Sequence, residues 1–362
     1  MLLSEIIKGV ELVEAVSADV EVKSIEFDSR KVVPGCMFVA TRGTAVDGHD
    51  YINKAIEAGA SVIICEEKPE IQADVIYIKV KDSAEALGRM ASNFYGRPSE
   101  QLTLVGVTGT NGKTTTKELL AAVLKTKYKL LYTEGNLNNQ IGVPLTLLRL
   151  THEHEMAVIE MGASHPGDIK ELVDIVHPNY GVITNVGKAH LEGFGSFEGV
   201  QQTKKELYDY LRENQGFIFR NTDNPYLAQM AGDLKTVAYT TGKMPDGTHL
   251  VGEYNAENVS AAICVGECFG ISREQALEAI RQYVPTNNRS QKMQTANNHL
   301  IVDAYNANPT SMQAAINAFK GDTYILGAMR ELGEYSHLEH QNIVNMLAER
   351  KADTVLLVGE EY

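Results

Sequence analysis

Residues 105–116 read V-G-V-T-G-T-N-G-K-T-T-T, a glycine loop and a Gly-Lys-Thr set between a predicted strand and a predicted helix. Residues 102–107 form a short apolar run of strand type, and Leu119, Leu120, Val123 and Leu124 recur at helical spacing within residues 113–125. Gly109 and Gly112 let such a turn bring backbone N–H groups close to phosphate oxygens, while the helix start adds the positive end of its dipole. In that setting Lys113 reaches the β- and γ-phosphates of a nucleotide and Thr114 ligates Mg2+. The strict phosphate-loop pattern asks for glycine five residues before Gly112, where the chain has Val107. The match is therefore to a variant, G-x-x-G-x-x-G-K-T. An ordinary strand-to-helix glycine turn is the competing reading, and the Lys-Thr that follows at once weighs against it.

A chain of 362 residues exceeds one typical core and favours two or three domains. Hydrophobic content of 44% with 22% charged residues is globular rather than disordered. The formal net charge of −14 excludes nonspecific nucleic-acid binding, because phosphates are repelled, but leaves room for local basic sites that hold a nucleotide. Glu5, Lys8, Glu11 and Glu14 interrupt the apolar positions near the N-terminus, so no signal-peptide core forms. No apolar run approaches membrane-spanning length. The expectation is a cytoplasmic monomer without stable membrane insertion. Cys36, Cys65, Cys264 and Cys268 lie in apolar contexts without the paired spacing of a zinc site, and buried reduced thiols are expected.

In the N-terminal part, residues 24–27, 37–40, 61–65 and 75–80 have strand character, with helices predicted over 50–58 and 83–95. Gly96-Arg97-Pro98 punctuates the chain and marks a first boundary, giving a segment 1–98. From residue 102 onward, strands at 129–132, 157–161, 182–184 and 217–219 alternate with loops and helices, the pattern of a parallel sheet with helices on both faces. Such sheets bind ligands at the carboxyl ends of their strands. Pro285, Asn287 and Asn288 break the pattern, so a central segment 99–286 gives way to a third, 287–362. There, strands are predicted at 300–304, 324–326 and 354–358, and helices at 311–319 and 338–349. The fold class is α/β in three domains.

Four further segments sit where strands should end. Glu160 in V-I-E-M-G-A closes a buried apolar run, and a carboxylate there needs a salt bridge or a bound cation such as Mg2+. His190, in T-N-V-G-K-A-H at 184–190 and followed by L-E-G-F-G, is either structural or a metal ligand. Lys204 and Lys205 open an apparent helix, whose default reading is a solvated face. Asn255 and Asn258 in N-A-E-N open an alanine-rich helix, where Asn258 has an amide suited to a base edge and Asn255 suits helix capping.

In combination these segments resemble the Mur ligases over nearly the whole sequence. The shared elements are G-V-T-G-T-N-G-K-T-T at 106–115, Glu160, His190 and the N-x-x-N of Asn255 and Asn258. G-N-L-N-N-Q-I-G-V-P at 135–144, H-L-E-G-F-G at 190–195 and D-A-Y-N-A-N-P-T-S at 303–311 resemble the family member that adds the last dipeptide of the peptidoglycan precursor. D-S-R-K-V-V-P-G at 28–35 and D-G-H at 47–49 resemble the segments that hold the uridine nucleotide end.

The resemblance implies an N-terminal α/β domain for a UDP-N-acetylmuramoyl substrate, a central P-loop-type domain for ATP and a C-terminal Rossmann-like domain. ATP falls to Gly109, Thr110, Asn111, Gly112, Lys113, Thr114 and Thr115, with Asn258 facing adenine, Arg289 near the phosphates and Asp303 near the ribose. Thr114 and Glu160 would hold one Mg2+ and His190 a second metal position. Lys204 matches the lysine that is carbamylated in the family, a negatively charged bridging group. Ser29, Arg30, Asp47, His49, Asn138, Asn139, Asn306 and Asn308 fall to the substrates.

The implied reaction converts the terminal carboxylate of a UDP-N-acetylmuramoyl-tripeptide into an acyl phosphate, which the amine of D-alanyl-D-alanine then attacks. A sibling ligase or a folylpolyglutamate synthetase shares the ATP site, but the 303–311 segment argues against both. A nucleotide-binding relative without turnover is the reading from another class. Departures from the family pattern are Tyr254 for a common His, Ala328 for a common Asp, a short 241–248 region, and a third segment that stops after about three strands.

Overall fold

The computed structural model describes the chain apart from residues 17, 43–45, 71–72, 95–101, 287 and 351. The punctuation at Gly96-Arg97-Pro98 and the predicted helix end at Tyr95 lie outside the described residues, as does Asn287 of the second boundary. The chain divides into two compact units, and the first gathers Met1–Leu102, Leu137–His152 and Asp174–His177.

In the first unit β1 (Ser24–Glu26), β2 (Cys36–Val39), β3 (Val62–Cys65) and β4 (Ile76–Lys79) form a parallel sheet in sequential order. Cys-Met-Phe-Val in β2 and Val-Ile-Ile-Cys in β3 are buried at every position, because helices cover both faces and leave no polar side to alternate with. Met37, Val39, Val62 and Ile64 pack with Leu87 and Met90 of the helix Ser83–Phe94. The intervening Phe38 and Ile63 pack with Ile52 and Ala55 of the helix Ile52–Glu57. The helix predicted over 50–58 begins with a 3-10 turn, Gly48–Tyr51, where the Asp47 side chain accepts from the His49 N–H.

The second unit is built on β5 (Thr103–Thr108), β6 (Leu130–Tyr132), β7 (Met156–Glu160), β8 (Tyr180–Ile183), β9 (Phe217–Asn221) and β10 (Lys235–Tyr239). These strands are all parallel in the order β10-β9-β8-β5-β7-β6. The chain leaves β5 to one side for β6 and β7 and returns on the other for β8, so β5 flanks the point where strand order reverses, the place where such sheets take ligands. Register sets Val107 opposite Glu160 and Thr108 opposite Ile183, bringing three strand ends beside the glycine loop.

Val105, Val107, Val158, Val182 and Phe219 meet Leu119, Leu120, Val123 and Leu124 of the helix Lys113–Leu124 in one core. The helix Asn255–Cys268 packs on the same core through Val259, Ala262 and Ile263. Its small residues permit that approach, since a Cβ on Gly266 would come within 2.7 Å of Val123 Cγ1. Each buried Leu or Val contributes roughly 1.5–3 kcal/mol, so this layer holds the loop's helix firmly.

After Ser290 the strands predicted at 300–304, 324–326 and 354–358 do not share one sheet. β11 (Gln291–Gln294) and β12 (His299–Val302) form an antiparallel pair, while β13 (Thr323–Gly327) and β14 (Thr354–Val358) form a parallel pair. β11 reads Gln-Lys-Met-Gln and carries no apolar alternation by which to find it. Met312 and Ile316 of the helix Pro309–Ala318, Tyr324, Met329, Leu332, and Ile343 and Leu347 of the helix Ser336–Arg350 make a separate core.

Among the described residues no helix is long and apolar enough to cross a membrane. All four cysteines are free, but only Cys36, Cys65 and Cys264 are buried. Cys268 ends the helix Asn255–Cys268 exposed, contrary to expectation. Burial pushes the thiols of Cys65 and Cys264 up to about 11.

Candidate active site

The loop after β5 depends on its glycines. Gly109 has φ +139° and Gly112 has φ +78°, both in backbone conformations that an L side chain resists. A Cβ on Gly109 would lie 2.1 Å from Thr184 Oγ1, and one on Gly112 2.4 Å from Asn258 Oδ1. The helix Lys113–Leu124 thus starts at a left-handed Gly112 without a side-chain cap, leaving its first N–H groups without that partner.

Lys113 curls over this loop, its Nζ donating to Gly109 O at 2.9 Å and to Thr110 O at 3.0 Å. Loss of hydration lowers its pKa, with Glu160 opposing and Arg289 adding to the fall. Thr114 is buried one residue on and donates to Glu160 Oε1 at 3.1 Å. Glu160 is only 1% exposed, and its backbone N–H donates to Thr133 Oγ1 at 3.0 Å. Thr115 is half-buried.

The segment after β8 supplies partners that the sequence reading quoted without assigning. Thr184 Oγ1 donates to Asn111 O at 2.6 Å, and Asn185 Oδ1 accepts from Asn111 N–H at 3.0 Å. Thr110 N–H donates to Asn185 O at 3.0 Å, and Thr110 Oγ1 accepts from Gly187 N–H at 2.9 Å. Position at a strand end beside the loop was the available signal.

His190 follows with φ +50°, and its Nδ1 meets Glu331 Oε2 from the segment after β13. Desolvation lowers its pKa, opposed by Glu331 and reinforced by Lys113 and Lys204. Lys204 is 2% exposed in the helix Phe197–Glu213, contrary to the default of a solvated face. The helix turns that position inward with Val200, Leu207 and Leu211, while Lys205 pairs with Asp209 at the surface. Lys204 Nζ lies 5.3 Å from the centre of the Phe194 ring. Desolvation and then Lys113 bring its pKa well below the ordinary lysine value, against a rise from Asp168 and Glu206.

Asn258 accepts from Thr116 Oγ1 at 3.0 Å and donates to Asn255 Oδ1 at 2.9 Å, bracing the glycine loop from behind. Asn255 lies inside its helix, not at the cap, and donates to Val251 O at 2.6 Å. Arg289 stacks its guanidinium 3.9 Å from the Tyr305 ring centre. Asp303 accepts from Ser290 N–H at 3.2 Å. Asn308 donates to Asn111 Oδ1 at 2.7 Å and accepts from Ser311 N–H at 2.9 Å, so it caps a helix and touches the glycine loop together. Asn306 is exposed and accepts from Ala307 N–H.

The remaining expected residues belong to the first unit. His49 Nε2 accepts from Glu66 N–H at 3.0 Å, which puts the ring proton on Nδ1, 2.7 Å from Asp47 Oδ1. Arg42 reaches Asp47, Glu66 and Glu67. Ser29 is buried, and exposed Arg30 pairs with Asp28 at 2.7 Å, holding that carboxyl down at about 2. Asn138 and Asn139 fall in this unit too, within Leu137–His152. Asn139 Oδ1 accepts from Gly142 N–H at 2.9 Å at the start of the helix Gly142–Leu147.

Among the described residues no group of three or more His, Cys, Asp and Glu side chains is arranged to hold a metal. A buried carboxylate beside a threonine hydroxyl still suits Mg2+, which takes one or two carboxylates and completes its shell with phosphates and water.

Family models match along the chain: Mur ligase family, catalytic domain, over residues 21–95; Mur ligase middle domain over 107–244; and Mur ligase, glutamate ligase domain, over 288–362. The UDP-N-acetylmuramoyl-tripeptide--D-alanyl-D-alanine ligase of Bacillus subtilis is 33% identical over 390 residues, spanning 99% of this chain and 84% of its own length. Crystal structure I of MurF from Acinetobacter baumannii has a TM-score of 0.86 at 30% identity, covering 99% of this chain and 85% of that one. The MurF ligase of Thermotoga maritima in complex with ADP has a TM-score of 0.80 at 29% identity, covering 94% of this chain and 88% of that one. With a third of its residues shared across nearly its whole length, and its glycine loop at the reversal point of a parallel sheet, the chain belongs to the Mur ligase family.

Proposed function

We propose that this chain is an ATP-dependent ligase that joins D-alanyl-D-alanine to UDP-N-acetylmuramoyl-tripeptide through an acyl phosphate in peptidoglycan precursor synthesis. The observation that carries the reading is the charge arrangement around the glycine loop. Thr114 donates to the buried Glu160, Glu160 opposes the lowering of the Lys113 pKa, and Lys113 and Lys204 both lower that of His190, so these groups gather at or after the carboxyl ends of β5, β7 and β8. The named relatives support the substrates, and the ADP of the Thermotoga maritima relative supports the nucleotide.

A carboxylate is a poor acyl donor until one of its oxygens attacks the γ-phosphorus and ADP departs. The amine nitrogen then attacks the acyl carbon, and phosphate leaves with that carboxylate oxygen. The open N–H groups of the helix Lys113–Leu124 orient the phosphates, and the Lys113 ammonium exchanges its carbonyl partners for phosphate oxygens. Thr114 and Glu160 would hold Mg2+, which would neutralise phosphate charge there. Burial shifts Lys204 toward its neutral amine, the form that adds carbon dioxide, and the resulting carbamate with His190 would hold a second metal. Asn258 positions the loop and, through its remaining N–H, adenine. Ser29, Arg30, Asp47, His49, Asn138 and Asn139 serve the UDP-N-acetylmuramoyl end. Dependence on ATP, with three buried free thiols, supports a cytoplasmic site of action.

Phosphate release measured across a matrix of UDP-linked muramoyl peptides and acceptors tests this. Release is expected only when the UDP-tripeptide and D-alanyl-D-alanine are both present. Release with a single amino acid as acceptor would indicate a sibling activity, and a folded protein that binds ATP but releases none would indicate a non-catalytic relative.

A further inference from the structure

An ion pair and a histidine–carboxylate contact fasten the His190 loop to the segment after β13, and neither has an assigned role. Lys188 Nζ lies 3.1 Å from Glu339 Oε1, and His190 Nδ1 meets Glu331 Oε2. His190 and Glu331 both have left-handed backbones, at φ +50° and +60°. A side chain tolerates that region only where surrounding contacts over-determine it, and here the two residues contact each other. Glu192 N–H donates to Glu331 O at 3.5 Å, and a Cβ on Gly333 would sit 3.6 Å from Glu192 Cβ, so the two segments run close together.

The turn presenting Glu331 is itself held. Met329 and Leu332 are buried on either side, and Met329 N–H donates to His340 Nε2 at 2.9 Å, while His340 Nδ1 donates to Ser336 O at 2.7 Å. A carboxylate accepting from one imidazole nitrogen puts the proton there and leaves the lone pair on the other, the arrangement that orients histidines toward metals.

We propose that Glu331 is a positioning residue, which by accepting the Nδ1–H of His190 holds the tautomer and ring orientation that leave Nε2 for a metal. The metal position is then complete only while the Glu331 turn is docked on the His190 loop. The proposal rests on the reading of His190 as a metal ligand.

Protein labelled with 15N in its histidine rings, with the His190 signals assigned by loss in His190→Asn, reports the tautomer directly. Added Mn2+ reports metal proximity by broadening those signals. The unaltered protein should show a protonated Nδ1 and be broadened by Mn2+. Glu331→Ala should shift the ring toward the Nε2–H form and require roughly tenfold more Mn2+ for the same broadening. Glu331→Gln, whose amide oxygen still accepts, should keep most of the original tautomer, and Lys188→Ala should leave the ring signals in place. The His340 signals serve as the check on folding. Unchanged His190 signals and Mn2+ response in Glu331→Ala would overturn the proposal, as would an equal shift in Lys188→Ala, which would make the contact a mere fastening. Absence of broadening in the unaltered protein would instead remove His190 as a ligand and fail the underlying reading.

Discussion

Lys204 is a lysine side chain kept almost wholly from water, with its Nζ over the face of Phe194. Desolvation is the leading cause of its lowered pKa, so the folded state disfavours the proton that the unfolded chain binds up to about pH 10.4. Between the folded and unfolded values the unfolded state holds more protons. Stability from this residue therefore rises with pH across that window and is lost as pH falls toward the folded value. Replacing Lys204 by Met removes the group that must give up its hydration or its proton on folding while keeping the apolar volume. In carbon dioxide-free buffer, Lys204→Met should raise the urea midpoint at pH 7, and the gain should shrink as pH approaches that of the unfolded lysine. A loss of stability, or a difference indifferent to pH, would contradict this account. The same substitution should abolish ligation.

At the scale of elements, the loop between β5 and the helix Lys113–Leu124 is the most constrained turn of the site. Gly109→Ala would force a side chain into a φ of +139° and into Thr184 Oγ1, so a loss of ~2–4 kcal/mol in denaturant unfolding and weakened ATP binding are expected. Unaltered stability would mean that the loop is free to rearrange. This element was legible in the sequence because its glycines, its Lys-Thr and the flanking apolar runs all report local requirements. The same holds for β2 and β3, whose continuous apolar runs suit a sheet covered on both faces.

Elements that answer to distant partners were not legible. β10 lies at the sheet edge, where Lys235, Thr236 and Ala238 are exposed and blur the strand pattern. The reciprocal amides of Asn111 and Asn308 are 197 residues apart, and Glu331 finds His190 across 141 residues. The burial of Lys204 follows from which helix face meets the sheet, a fact that the Lys-Lys pair conceals.

For the whole molecule, the residues read for the UDP-substrate and those read for ATP fall in different compact units. Ser29, His49 and Asn138 group with the sequential sheet of β1 to β4, and Lys113, Glu160 and Lys204 with the sheet centred on β5. A reaction that draws on both needs its activated carboxylate held in place and shielded from water, because orientation provides much of the acceleration and an acyl phosphate hydrolyses. The central claim is that the carboxylate is activated by direct phosphorylation. UDP-N-acetylmuramoyl-tripeptide labelled with 18O in its terminal carboxylate, turned over with ATP and D-alanyl-D-alanine, puts that claim to its most direct test through the isotope shift in the 31P spectrum of the products. The account predicts one 18O transferred to each inorganic phosphate released, and phosphate without 18O, or label appearing in AMP, would contradict it.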